Sequence, residues 1–193
     1  MDFKTTIIQH LYAWIILVSS ILFLIYVARV IKREKKDYLA TAQNFNFKTF
    51  NLLIPSWWSV KTSEENLVTY YRADTYYDWK AKFIWIPFEK EVEELSLKDY
   101  FAGLIIKKGI LFDSHEVIIN QYTKCIRVEG TATENDEHRI YYDALLVKDK
   151  KQKGYLFCEN RSSILNGMLE GPYFEEVITR LRKSLENNFE KQF

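Results

Sequence analysis

Three histidines carry most of the chain's capacity for acid–base chemistry near neutral pH: His10, His115 and His138. His10 falls in an apolar N-terminal stretch. His115 lies in Asp113-Ser114-His115-Glu116 and His138 in Asp136-Glu137-His138, residue types that suit proton transfer or metal ligation. Neither pair of motifs has metal-ligand spacing such as His-x-x-x-His, and both stretches read as polar turns. Nucleophilic chemistry has less to draw on. There is no Gly-x-Ser-x-Gly, and Cys125 and Cys158 fall in strand-like patterns without a neighbouring histidine. Six glycines are scattered singly, so no phosphate-cradling loop is expected. Asn160-Arg161-Ser162 matches a glycosylation sequon, which has meaning only in a eukaryotic secretory lumen. The acidic residues Glu89, Glu91, Glu93 and Glu94 read as a solvated stretch favouring the start of the helix that follows, with a cation site as the alternative. The reading is no catalytic residue, no metal and no cofactor.

Binding is better represented than catalysis. Lys and Arg total 27 against 26 Asp and Glu, a net charge of +1 that argues against a nucleic-acid partner. Aromatic residues make up 16% of the chain, and Trp57, Trp58, Tyr70, Tyr71, Tyr76, Tyr77, Trp79 and Trp85 crowd into one short region. Strands present two faces, so one core layer accommodates only half of these; either a second layer buries the rest or they form a partner-binding patch. Tyr76, Tyr77 and Trp79 fall between expected strands and are the candidates for that patch.

The elements that must carry these residues begin with a membrane segment. From Leu11 to Val27 there is no charged side chain, and with its flanks the stretch is long enough to cross a bilayer through residues 8–30. Tyr12, Trp14 and Tyr26 suit interfacial belts. Tyr26-Val27-Ala28 makes a poor signal cleavage site, so an uncleaved single-pass anchor is expected. Arg29, Lys32, Arg33, Lys35 and Lys36 follow it; the positive-inside rule puts the following domain on the cytoplasmic side, and the cluster suits anionic headgroups. The expected organisation is an N-terminal tail and anchor over 1–31, a basic juxtamembrane linker over 32–45 and one domain over 46–193.

Within that domain, period-two patterns predict strands from Phe47 to Ile54, closed by Pro55, from Leu67 to Arg72, and from Lys80 to Ile86. Lys61 to Asn66 reads as a polar turn. Ser96 caps a helix whose apolar face is Leu97, Phe101, Leu104 and Ile105, stopped by Gly109. A meander of strands over 117–131, 139–148 and 154–160 follows, with Cys125 and Cys158 separated by a strand and so not bridged. A last helix is expected to open at Pro172, with Phe174, Val177, Ile178, Leu181 and Leu185 on its apolar face.

This order resembles the PsbP/Mog-type superfamily, which includes DcrB-like bacterial proteins. Leu53-Ile54-Pro55-Ser56-Trp57-Trp58 is similar to its opening strand and Ile-Pro-x-x-Trp; Ser96-Leu97-Lys98-Asp99-Tyr100 is similar to its Ser-Leu-x-x-Tyr helix. Tyr155-Leu156-Phe157, then Tyr173-Phe174-Glu175-Glu176-Val177-Ile178 and Ser184, are similar to its close. The resemblance implies an α+β fold, an antiparallel β-sheet flanked by helices, and a non-enzymatic role in binding other proteins. Together with the anchor it gives a membrane-anchored adaptor or assembly factor with a protein partner. Two alternatives stand beside it: a module holding a small apolar or lipid molecule between sheet and helix, and a hydrolytic enzyme, which would need a cleft joining His115 or His138 to a carboxylate.

Overall fold

The computed structural model describes residues 3–72, 78–88, 96–113, 118–121 and 124–190. Contacts divide the chain into two compact units, residues 1–42 and 43–193.

The first unit is one helix, α1 (Phe3–Thr41). It is long and apolar enough to cross a membrane. Its apolar side chains from Tyr12 to Tyr26 are exposed, Trp14 at 64% and Leu24 at 65%. Residues 32–41, expected as linker, continue the helix; the Thr41 hydroxyl donates to the Asp37 carbonyl at 3.0 Å in its last turn.

The second unit is an eight-stranded, wholly antiparallel sheet with helices on both faces. Its strands are β3 (Trp58–Glu64), β4 (Leu67–Arg72), β5 (Lys80–Pro87), β6 (Ile110–Phe112), β7 (Ile118–Gln121), β8 (Cys125–Glu134), β9 (His138–Asp149) and β10 (Gly154–Ser162). The spatial order is β3-β4-β5-β10-β9-β8-β6, with β7 also paired to β8. A separate hairpin, β1 (Gln43–Phe47) and β2 (Phe50–Ile54), turns at Lys48, whose φ is 54°. The expected first strand is therefore two strands. The turn between Phe47 and Phe50 has only Lys48 and Thr49 to mark it, with neither Gly nor Asn.

Alternation decides which side each strand residue covers. On one face Ala81, Phe83, Trp85, Leu145, Val147, Leu156 and Cys158 pack with the β1–β2 hairpin and with α3 (Ile164–Glu190), through Phe174, Val177, Ile178 and Leu181. On the other, Tyr142, Ala144, Leu146, Tyr155 and Phe157 lie under α2 (Leu97–Lys107), through Phe101 and Ile105. Ser96 caps α2 as expected, accepting the Asp99 N–H at 3.1 Å, and Gly109 takes a φ of 68° just past the C-terminus.

Three expectations are corrected. Lys61 to Glu64, read as a turn, belong to edge strand β3, where polar outward residues are tolerated because only one side pairs. The single strand over 117–131 is two, β7 folding back onto β8 with Ile118 opposite Glu129. Helix α3 starts at Ile164, eight residues before Pro172, which lies inside it. Pro172 supplies no N–H to the preceding turn. Gly167 and Gly171 bring that turn onto Tyr141, so closely that a Cβ at Gly167 would meet the ring at 2.5 Å. Glu170, fully buried, holds it to the sheet edge by pairing with Arg72 and accepting the Trp58 indole N–H at 3.0 Å. Tertiary contacts thus continue the helix through a proline.

Candidate functional site: a charged cavity at the end of helix α2

The face covered by α2 changes character along its strands. In β5 the residues on this side are Lys80, Lys82, Ile84 and Ile86; in β10 they are Tyr155, Phe157, Glu159 and Arg161. Antiparallel register places Ile86 against Tyr155 and Ile84 against Phe157, then Lys82 against Glu159 and Lys80 against Arg161. The apolar half is roofed by α2. The charged half continues past the helix C-terminus and opens into a cavity of about 390 Å³. Lys80, Lys82, Lys108, Ile110, Glu134, Tyr142, Glu159 and Arg161 line it.

Glu159 is the organising group, 3% exposed on the floor. Lys82 and Lys108 reach it at 3.1 and 3.0 Å, and the Tyr142 hydroxyl donates to it at 2.7 Å. Burial pushes this carboxyl up, but Lys108, Lys82 and the Tyr142 hydrogen bond outweigh it, leaving the group below its ordinary value. Glu159 is therefore an anion at neutral pH and holds no proton to give. Burial, then the facing Glu159 charge, pushes Tyr142 well above the usual phenol range, so it remains a donor. At the rim Arg161 donates to Glu134 at 2.6 Å and to Asp78 at 2.9 Å. Asp78 also accepts the Ser163 backbone N–H at 2.9 Å and the Asn166 amide at 2.9 Å, tying the start of β5 to the β10–α3 junction.

Such a lining, a carboxylate between two ammonium groups with a phenol donor beside it, can hold and orient a charged ligand. A second charged cluster lies on the opposite face. Arg127 forks onto buried Asp143 at 2.9 and 2.7 Å and pairs with Glu129 at 2.8 Å, beneath Glu175 of α3. It is closed by the helix and reads as internal structure.

The residues picked from sequence fall elsewhere. Trp79 is a correction: it is 1% exposed, its ring 4.4 Å from that of Trp58, and belongs to the core instead of a surface patch. It immediately precedes β5, so its side chain shares the inward face with Ala81 and Phe83. Tyr76, Tyr77, His115 and the acidic run 89–94 lie outside the described residues. His138 is exposed at the β8–β9 turn, 3.8 Å from Glu137. Among the described residues no three His, Cys, Asp or Glu side chains are grouped to hold a metal. Cys125 and Cys158 are both buried. None of the cavity residues is among the candidates from sequence; in Lys80-Ala81-Lys82-Phe83-Ile84-Trp85-Ile86 one set of alternate positions goes from charged to apolar, but that pattern alone does not reveal a cavity.

The chain matches no protein-family model and no curated protein. Solved structures do match. The cyanobacterial PsbP protein (CyanoP) of Synechocystis aligns over 72% of this chain and 91% of its own, with 10% identity and a TM-score of 0.52. The Ran-binding protein Mog1p of Saccharomyces cerevisiae aligns over 69% and 83%, with 5% identity and a TM-score of 0.46. A Pseudomonas aeruginosa protein of unknown function aligns over 71% and 93%, with 10% identity and a TM-score of 0.45. The antiparallel sheet, its flanking helices and the match to CyanoP together make this a PsbP/Mog-like α+β fold behind one long apolar N-terminal helix.

Proposed function

We propose that this chain is a membrane-anchored, non-enzymatic binding protein, an adaptor or assembly factor whose domain engages another protein beside the bilayer. The observation that carries the reading is α1, whose exposed apolar side chains have no place in water, and which passes within one turn into Arg29, Lys32, Arg33, Lys35 and Lys36. A fixed anchor raises the local concentration of whatever the domain meets at the membrane, so modest affinity suffices. The basic cluster favours the cytoplasmic side for the domain. The PsbP-like fold supports a binding role, and so does a cavity lined by charged side chains.

Carbonate washing tests the anchor: the full-length chain should stay in the membrane pellet, and its release as an intact polypeptide would refute the reading. A C-terminal reporter active only in the cytoplasm should be active; activity of an export-dependent reporter instead would reverse the orientation. For the partner, Tyr76 and Tyr77 remain the proposed contacts. Crosslinking in intact membranes should yield a defined adduct that disappears when both are changed to serine.

A further inference from the structure

We propose that the cavity at the end of α2 is a binding site for a small oxyanion, a phosphate or carboxylate group. This rests on the cavity alone and not on the membrane reading above.

Four cationic side chains, Lys80, Lys82, Lys108 and Arg161, line a space that holds two carboxylates, Glu134 and Glu159. The volume, about 390 Å³, falls within the range of small-molecule sites. The carboxylates are already occupied. Glu159 accepts from Lys82, Lys108 and Tyr142, while Glu134 takes the Nε and Nη2 donors of Arg161. The donors are not exhausted. An ammonium offers three N–H groups and a guanidinium five. Lys82 and Lys108 have N–H groups beyond those given to Glu159, and Arg161 has donors beyond those given to Glu134 and Asp78. Lys80 sits opposite Arg161 and has no ion pair among the described residues. An excess of positive donors around filled carboxylates selects an anion with several acceptor oxygens.

Buried Glu159 has a second effect. By holding Lys82 and Lys108 it fixes two long side chains in place before any ligand arrives, which lowers the ordering cost of binding. It is a positioning residue, and Lys80 is the direct ligand. The same chemistry could come from a lipid headgroup or from a free anion in solution.

The test is calorimetric titration of the full-length chain in neutral lipid nanodiscs with inorganic phosphate, glycerol 3-phosphate and citrate, against potassium chloride of matched ionic strength. Saturable binding of at least one oxyanion, absent with chloride, is expected. Lys80→Met should weaken it by about tenfold, the loss of one charge-assisted contact, with the unfolding temperature of the unliganded protein unchanged. Tighter binding of glycerol 3-phosphate than of phosphate would identify a headgroup as the source; the reverse order, or preference for citrate, would identify a free anion. Absence of saturable binding by all three, or affinity unchanged in Lys80→Met, would overturn the site.

Discussion

Glu159 shows how a single buried charge can be tolerated where three donors converge on it. Its carboxyl lies below the ordinary value of 4.5, so its stabilisation is complete above that pH and is lost as pH falls through the lower folded value. Urea unfolding followed from pH 7 to pH 3 should therefore weaken on the acid side. Glu159→Gln should lower stability at pH 7 by about 2–3 kcal/mol, less than the full cost of a broken buried pair because Lys82 and Lys108 keep some solvent contact, and should flatten that acid limb. An acid limb unchanged in the variant would assign the effect to other carboxylates. Trp79 makes the contrasting case. With its ring against Trp58 in the core, Trp79→Ala should cost about 3–5 kcal/mol, whereas Tyr76→Ser with Tyr77→Ser should leave thermal unfolding nearly unchanged. Residue type alone gives no hint of this. Tyr76, Tyr77 and Trp79 look alike as types, and only the parity of the strand beginning at Lys80 assigns Trp79 inward.

Among the elements, those with local signals were legible and those made by long-range contact were not. Helix α2 has its cap, its apolar spacing and its glycine stop within a dozen residues, and all three are realised. Ser96→Ala should accordingly destabilise the domain by about 1 kcal/mol, measurable as a shift in the urea midpoint at constant slope. Helix α3 is the opposite case. Its first two turns hold two glycines and run into Pro172, and local propensity alone would leave them unwound. What keeps them helical comes from far along the chain: Tyr141 against the glycines, and Arg72 with Trp58 on Glu170. Strand β3 was hidden for a related reason. An edge strand with polar outward residues carries almost no hydrophobic period, and its partner β4 defines it.

At the scale of the molecule, two units are joined in one chain: one long apolar helix, and a sheet domain with its own two-sided core. The fold class could be read from the sequence because strands, helix and meander came in a recognisable order. The cavity could not, since it exists only where β5 and β10 are paired in register, and these strands are far apart in sequence. Each strand alone shows a few charged residues of the sort found on any surface. It is the pairing that places Lys82 opposite Glu159 and leaves Lys80 beside Arg161.

The place of β10 within the sheet has a consequence for how the chain is made. It is the last strand to be synthesised, yet it sits in the middle, with β5 on one flank and β9 on the other. Until it emerges from the ribosome, β3–β5 and β6–β9 are separate pieces, each with a raw apolar edge, held at a membrane if α1 has already inserted. A premature stop before Gly154 should therefore yield no partial domain. Such a product should lack a cooperative unfolding transition and be degraded or aggregate, whereas a half-sheet that melted sharply on its own would show that the two pieces do not wait for the strand between them.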